Sequence, residues 1–127
     1  MAMLESHSGP ILVVTGSLTA LAIVVTIAPA AALRVLFGSA TPDRTTRALA
    51  RHWGLLVALF GGLLIYAGYA PALREPVMAA AAVEKLGVAA IFGIALPRRP
   101  VLLAVIAADA TMAILYLLIL ASRHSTV

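Results

Sequence analysis

Four apolar runs of about 20 residues constrain this sequence more than any other feature. They occupy residues 11–33, 53–70, 77–96 and 101–121. A helix rises about 1.5 Å per residue, so each run can cross the roughly 30 Å hydrocarbon core of a bilayer. Because lipid cannot hydrogen-bond to backbone groups, spans of this length are helices. The sequence therefore predicts four transmembrane helices.

Composition excludes several classes of protein. The chain is 63% hydrophobic and 11% charged, with a mean hydropathy of +1.09; soluble domains are roughly 45–50% apolar and about 25% charged. A soluble chain of 127 residues has too little interior to bury so much apolar surface. The absence of cysteine excludes disulfides, thiolate metal sites and thiol catalysis. No basic face interleaved with aromatic residues predicts a nucleic-acid partner.

The runs and the prolines between them predict an all-α fold. We expect one integral membrane domain over residues 1–127, with helices at about residues 11–33, 43–70, 77–96 and 101–121. Short connections favour antiparallel neighbours, which gives an up-down-up-down four-helix bundle. Pro29 is expected to kink the last turn of the first helix. Thr41 is expected to cap the second helix, with Pro42 as its first residue.

Arginines predict the orientation of the bundle in the membrane. The loops on one side of the membrane carry six arginines, and the opposite side carries Arg74 and Arg123. The six are Arg34, Arg44, Arg47, Arg51, Arg98 and Arg99. The positive-inside rule then places both termini on the non-cytoplasmic side of the inner (plasma) membrane. The N-terminal segment has no lysine or arginine, so the first run is interpreted as a retained helix rather than a cleaved signal peptide.

Three ionisable residues lie inside the apolar runs: Glu84, Lys85 and Asp109. Each costs roughly 2.5–3.5 kcal/mol to insert, so such groups usually face a bundle interior or a water-filled cavity. Their depths predict an ion pair between Lys85 and Asp109. Glu84 is then left to face a hydroxyl group or water. The candidate donors lie in the outer half of the bundle, where we expect a polar pocket: Tyr66, Tyr69, Thr15 and Ser17.

This group of charges has two interpretations, which the sequence leaves open. In the structural interpretation, the Lys85–Asp109 pair fixes helix register, and Glu84 is protonated and hydrogen-bonded. In the functional interpretation, Glu84, Lys85, Asp109, Tyr66 and Tyr69 form a ligand-binding or proton-coupling site.

A second group of residues lies where the second run begins. The candidates for binding a lipid phosphate are Arg47, Arg51, His52 and Trp53, with Arg98 and Arg99 from the later basic loop. The alternative is an ordinary interfacial belt of basic and aromatic residues. The histidines lie near opposite surfaces and cannot converge on one ion, so we expect no metal and no cofactor.

Four short motifs resemble those of the DoxX-like and BphX-like groups of small four-helix bacterial membrane proteins. They are Arg51–Gly54 (RHWG), Ala67–Pro71 (AGYAP), Arg74–Pro76 (REP) and Glu84–Gly87 (EKLG). The resemblance implies a four-helix integral membrane bundle and brings no specific activity; it makes Lys85 the first position to test, then Trp53 and Glu84. Small multidrug transporters are less similar, because their first helix carries a glutamate and this one has no charge.

Three functions remain open. The favoured one is a non-enzymatic membrane protein that binds a small apolar ligand or lipid, or assists another membrane protein. The second is a proton-coupled small-molecule transporter acting as a homodimer, with Glu84 as the titrating group. The third is a membrane-embedded enzyme that uses Glu84 and Asp109 as acid and base. The expected partners are the lipid bilayer, a small apolar ligand or lipid, and a second copy of the chain.

Overall fold

The computed structural model describes residues 2–96 and 98–125, and every regular element in these ranges is helical. The α-helices are α1 (Ala2–Ser6), α2 (Ser8–Ala20), α3 (Ile23–Ile27), α4 (Pro29–Phe37), α5 (Arg44–Tyr69), α6 (Arg74–Ala95) and α7 (Pro100–Ser125), with a short 3₁₀ turn at Pro71–Leu73. Four spans are long and apolar enough to cross a membrane: Ser8–Ile27, Arg44–Tyr69, Pro71–Ala95 and Pro100–Ser125. These four candidate spans indicate a multi-pass membrane protein.

The first span is not the continuous helix over residues 11–33 that the sequence predicted. At Leu21 and Ala22 the backbone tightens, because their N–H groups donate to the carbonyls three residues earlier, at 3.3 and 3.1 Å. At Ala28 the chain leaves the helix (φ −128°, ψ 67°), and Pro29 starts α4. Proline disfavours helical geometry in the residue before it and suits a first helical position. Pro29 therefore begins a new helix instead of kinking the old one.

The helix caps also differ from expectation. Asp43, not Thr41, caps α5: its side chain accepts a 2.7 Å hydrogen bond from the backbone N–H of Thr46. The side-chain and backbone hydrogen bonds with Thr46 and the nearby charge of Arg47 lower the pKa of the Asp43 carboxyl. Helix α4 ends at Phe37 and is capped by Gly38, whose φ of 73° is the left-handed conformation that glycine adopts readily.

The last two spans are longer than predicted, since their polar ends continue the helices. The 77–96 helix starts at Arg74, after the 3₁₀ turn, and ends at Ala95. The 101–121 helix runs from Pro100 to Ser125. Apolar runs mark the part of a helix inside lipid, not the turns that extend into the interface.

Glycines let the first span approach α5 closely. A Cβ added to Gly16 would lie 2.8 Å from the carbonyl oxygen of Gly61, and one added to Gly54 would lie 2.8 Å from the Cβ of Val25. A Cβ at Gly61 would meet the backbone of Ala20. Small residues at these crossings bring the two backbones together, which is how helices associate where lipid supplies no hydrophobic driving force.

Buried residues form two cores at opposite ends of the molecule. The first core draws on all four spans and consists of Leu12, Leu64, Ala67, Met78, Ala81, Ala82, Ala113, Tyr116 and Ile119. The second core consists of Val25, Leu33 and Ala50, from α3, α4 and α5. Within the described ranges, α6 and α7 contribute no buried residue to the second core. All four spans therefore contribute buried residues to the first core, whereas the second core is built from α3, α4 and α5.

Candidate functional site

A cavity of about 420 Å³ lies beside the second core, bounded by the later part of the first span, α4, α5, α6 and α7. Its lining residues are Leu18, Thr19, Leu21, Ala22, Val24, Val25, Ala31, Ala32, Val35, Leu36, Trp53, Val57, Lys85, Val105 and Asp109. Leu18, Leu21, Val24 and Val35 are exposed on the bundle surface, so the cavity opens between the helices. Its volume is in the range of small-ligand sites, roughly 300–1,000 Å³.

The charged residues in this lining, within the described part of the chain, are Lys85 and Asp109. Lys85 Nζ lies 2.7 Å from Asp109 Oδ1, which confirms the ion pair that the sequence predicted. The side chain of Lys85 is 1% exposed and that of Asp109 is 18% exposed. A buried lysine needs such a partner, because an unpaired charge would be removed from water without compensation.

The pair lies near the middle of its spans and not in the half that holds Tyr66 and Tyr69. Lys85 is 14 residues after Pro71 in a 25-residue span, about 21 Å along the helix. The cavity extends from the pair toward α4 and Trp53. The cavity therefore lies in the half of the bundle away from Tyr66 and Tyr69, not near the two tyrosines, where the sequence predicted a polar pocket.

Tyr66 and Tyr69 do not join this cavity. They are 60% and 75% exposed, on the outside of the bundle. The sequence missed Tyr116, which is fully buried and donates a 2.7 Å hydrogen bond to Thr15 Oγ1. A signal for it exists: Tyr116 follows Asp109 by seven residues, or about two helical turns, so the two side chains share one face of α7.

Glu84 lies beside the site without lining the cavity. It is half-buried, and its Oε2 atom is buried with no hydrogen-bond partner among residues 2–96 and 98–125. Two of the donors expected for it are directed elsewhere: Thr15 donates to the carbonyl of Ile11, and Ser17 donates to that of Val13.

Trp53 lies in the cavity wall and not with the arginines that were expected to accompany it. Its ring centroid is 6.4 Å from that of Phe37 and 5.5 Å from that of Phe92, and the Phe37 and Phe92 rings meet edge to face at 5.3 Å. Such tilted pairs are favourable arrangements of aromatic rings. The three rings link α4, α5 and α6 at the end of the bundle that holds the second core.

The other candidates for binding a lipid headgroup lie on the surface. Arg47, Arg51, His52 and Arg98 are exposed. Arg99 is half-buried, and its guanidinium lies against Gly38 at the end of α4. The structure does not bring these residues together with Trp53, and no contact among the described residues assigns them a ligand.

Arg74 has a structural role that the sequence did not reveal. Its Nε donates to the carbonyl of Ala67 at 3.1 Å and its Nη2 donates to that of Gly68 at 2.7 Å, near the end of α5. Its Nη1 lies 3.3 Å from the hydroxyl of the fully buried Ser8. Arg74 thus satisfies carbonyls at a helix end and joins α2, α5 and α6.

Comparisons with known proteins add no homologue. No protein-family model, curated protein or solved structure matches the chain. The resemblance to DoxX-like and BphX-like proteins therefore stays a prediction. Within residues 2–96 and 98–125, no three histidine, aspartate or glutamate side chains group so as to hold a metal ion.

Proposed function

We propose that this protein is a multi-pass membrane protein that binds a small, mostly apolar ligand or lipid in the cavity above the Lys85–Asp109 pair. The observation that carries the proposal is the combination of an apolar wall with one polar pair at its base. Sites of this composition hold the apolar body of a ligand by burial and fix its orientation with a few polar groups.

The proposal includes an up-down-up-down arrangement with both termini on the non-cytoplasmic side of the inner membrane. Contacts support antiparallel neighbours, because residue numbers rise along one span while the numbers of the residues they contact fall along the next. Gly9 lies near Gly68, and Gly16 near Gly61. In the second pair of spans, Lys85 meets Asp109 and Glu75 meets His124. With this orientation, which the arginine count favours, the cavity faces the cytoplasmic half of the membrane.

Trp53 makes the proposal directly testable. It is the only tryptophan in the chain and lines the cavity, so intrinsic fluorescence reports on occupancy. Purified protein in detergent micelles is titrated with a chain-brominated alkyl probe, because bromine quenches tryptophan on contact. We expect saturable quenching that an unbrominated analogue reverses. Quenching that rises linearly and resists competition would show only collisions through the micelle and would overturn the proposal.

A matched pair of variants locates the binding site. Ala31 is exposed and lines the cavity, whereas Ala90 is exposed on α6 and does not. Ala31→Phe places a ring at the cavity wall and is expected to raise the half-saturating probe concentration severalfold. Ala90→Phe is expected to leave it unchanged. Equal effects of the two substitutions would show that the probe binds elsewhere.

Proton-coupled transport is a second candidate, supported by the buried Oε2 atom of Glu84 that has no partner among the described residues. A carboxyl group in that position can take up and release a proton during a transport cycle. Glu84→Gln is expected to abolish pH-dependent flux in proteoliposomes while leaving folding intact. Unchanged flux would remove this candidate.

The geometry counts against the acid–base enzyme. That hypothesis needs the carboxyl groups of Glu84 and Asp109 to line one cavity. Instead Asp109 is bound by Lys85, and Glu84 is not part of the cavity lining.

A further inference from the structure

The polar base of the cavity has hydrogen-bonding capacity beyond its own ion pair. An ammonium group has three N–H donors, and a carboxylate accepts at two oxygens. Among the described residues, one contact joins the two groups, from Lys85 Nζ to Asp109 Oδ1. Both residues line the cavity, and Asp109 is the more exposed of the two. A ligand head at this position therefore meets a carboxylate oxygen and an ammonium group side by side.

We propose that the cavity selects a neutral amphiphile whose polar head is a hydroxyl group, that is, an alcohol or phenol with an apolar body. This inference rests on the proposed ligand-binding function and specifies its ligand class. A hydroxyl group both donates and accepts. It can donate to the Asp109 carboxylate while accepting from Lys85, so one small group satisfies both members of the pair.

A ligand with a charged head group fits poorly against the Lys85–Asp109 pair. The pair carries no net charge, so an added cation would be buried beside the lysine ammonium, and an added anion would be buried beside the carboxylate. A buried charge without its own partner is costly. A purely apolar ligand avoids this cost but leaves the remaining donors and acceptors unmatched.

The walls and the opening specify the rest of the ligand. The sides are aliphatic apart from Trp53 and Thr19, and the hydroxyl of Thr19 is already directed to the carbonyl of Thr15 at 2.8 Å. Exposed Leu21, Val24 and Val35 surround the opening, so a chain longer than the cavity can continue into surrounding lipid. The site therefore discriminates by the head of the ligand and not by the length of its tail.

The test uses the Trp53 quenching assay with four chain-brominated undecyl probes that differ only in the head. They are the alcohol, the carboxylate, the trimethylammonium compound and the headless alkane. Concentrations are expressed as mole fraction in the micelle, which removes differences in partitioning. We expect the alcohol to half-saturate at about one-fifth of the concentration of the alkane, the effect of about one net hydrogen bond, with both charged probes weaker than the alcohol.

The outcomes separate this inference from the function on which it rests. Saturable quenching with equal affinity for all heads, or tighter binding of the carboxylate or the ammonium probe, would overturn the alcohol specificity and leave ligand binding standing. No saturable quenching by any probe would overturn the proposed function itself. Competition by unbrominated undecanol and by dioctanoylglycerol then distinguishes a free alcohol from a membrane lipid bearing the same hydroxyl group.

A double variant tests the assignment to the pair. Lys85→Met with Asp109→Leu replaces the base by apolar groups and is expected to abolish the preference for the alcohol over the alkane while keeping alkane binding. Glu75→Gln, at an exposed position outside the cavity, is the control and is expected to retain the preference. A preference that persists in a folded double variant would overturn the inference. If the double variant does not fold, the wild-type probe series decides.

Discussion

At the end of the bundle that holds Tyr116, residues from all four spans meet in the first core. At the end that holds Trp53, the second core consists of residues from α3, α4 and α5, and a cavity lies beside it. We refer to these as the closed end and the open end. The closed end is joined by the Tyr116–Thr15 hydrogen bond and by Arg74. At the open end, Thr26 Oγ1 donates a 2.9 Å hydrogen bond to the carbonyl of Arg51, which joins α3 to α5.

The difference between the two ends begins where the first span stops being a regular α-helix. Up to Ala20, α2 follows α5 closely through Gly16 and Gly61. Beyond the tightened turn at Leu21 and the break at Ala28, the chain turns into α4. Two interruptions in one span thus accompany the cavity, because neighbouring helices packed by small residues do not move to fill the space.

The largest expected effect comes from breaking the pair at the boundary between the two ends. Lys85→Met leaves the Asp109 carboxylate unpaired and is expected to lower the free energy of unfolding by about 3–5 kcal/mol. The double variant Lys85→Met with Asp109→Leu is expected to recover most of this loss, since no charge is left unpaired. Thermal unfolding in detergent measures both. Wild-type stability in the single variant would show that water hydrates the base of the cavity.

The next effect tests the close approach that holds the first span to α5. Gly61→Leu pushes a side chain into the backbone of Ala20 and is expected to cost about 3 kcal/mol or more. Gly62→Leu is the control, because nothing lies within 4 Å of a Cβ at that position. Thermal unfolding of the two variants checks the prediction. Equal stability would show that the helices separate without cost and that the closed end does not depend on this crossing.

A smaller loss of stability is expected from a substitution that affects the closed end alone. Tyr116→Phe removes the hydrogen bond to Thr15 without opening a cavity and is expected to cost about 1 kcal/mol. Tyr66→Phe, on the exposed surface, is expected to change nothing measurable. Denaturant or thermal unfolding in the same detergent is the measurement. Probe affinity at Trp53 should be unchanged in both variants, because neither tyrosine lines the cavity.

The smallest effect is a pH dependence outside both cores. The folded-state pKa of Asp43 is lowered, so its contribution to stability is present above its unfolded pKa of about 3.9 and is lost as the pH falls through the folded value. Asp43→Asn keeps a capping side chain and is expected to remove this acid sensitivity. Hydrogen exchange at the start of α5, compared above and below pH of about 4, reports it. Equal acid sensitivity in Asp43→Asn would assign the effect to another group.

The sequence by itself determined the four spans and the Lys85–Asp109 pair. Span length follows from bilayer thickness, and helical structure follows from the need to satisfy backbone hydrogen bonds within each span. The pair could be predicted because charges inside lipid must find partners and few partners lie at matching depth.

Only the tertiary structure decided which faces of the helices point inward. In a membrane protein, residues facing lipid are as apolar as residues facing the core, so hydropathy does not reveal the rotation of a helix about its axis. For this reason Tyr66 and Tyr69 were expected inside and lie outside, while Tyr116 is buried and Trp53 lines the cavity, neither of which was expected. The cavity itself depends on how α4 departs from the first span, a long-range packing outcome that no local pattern encodes.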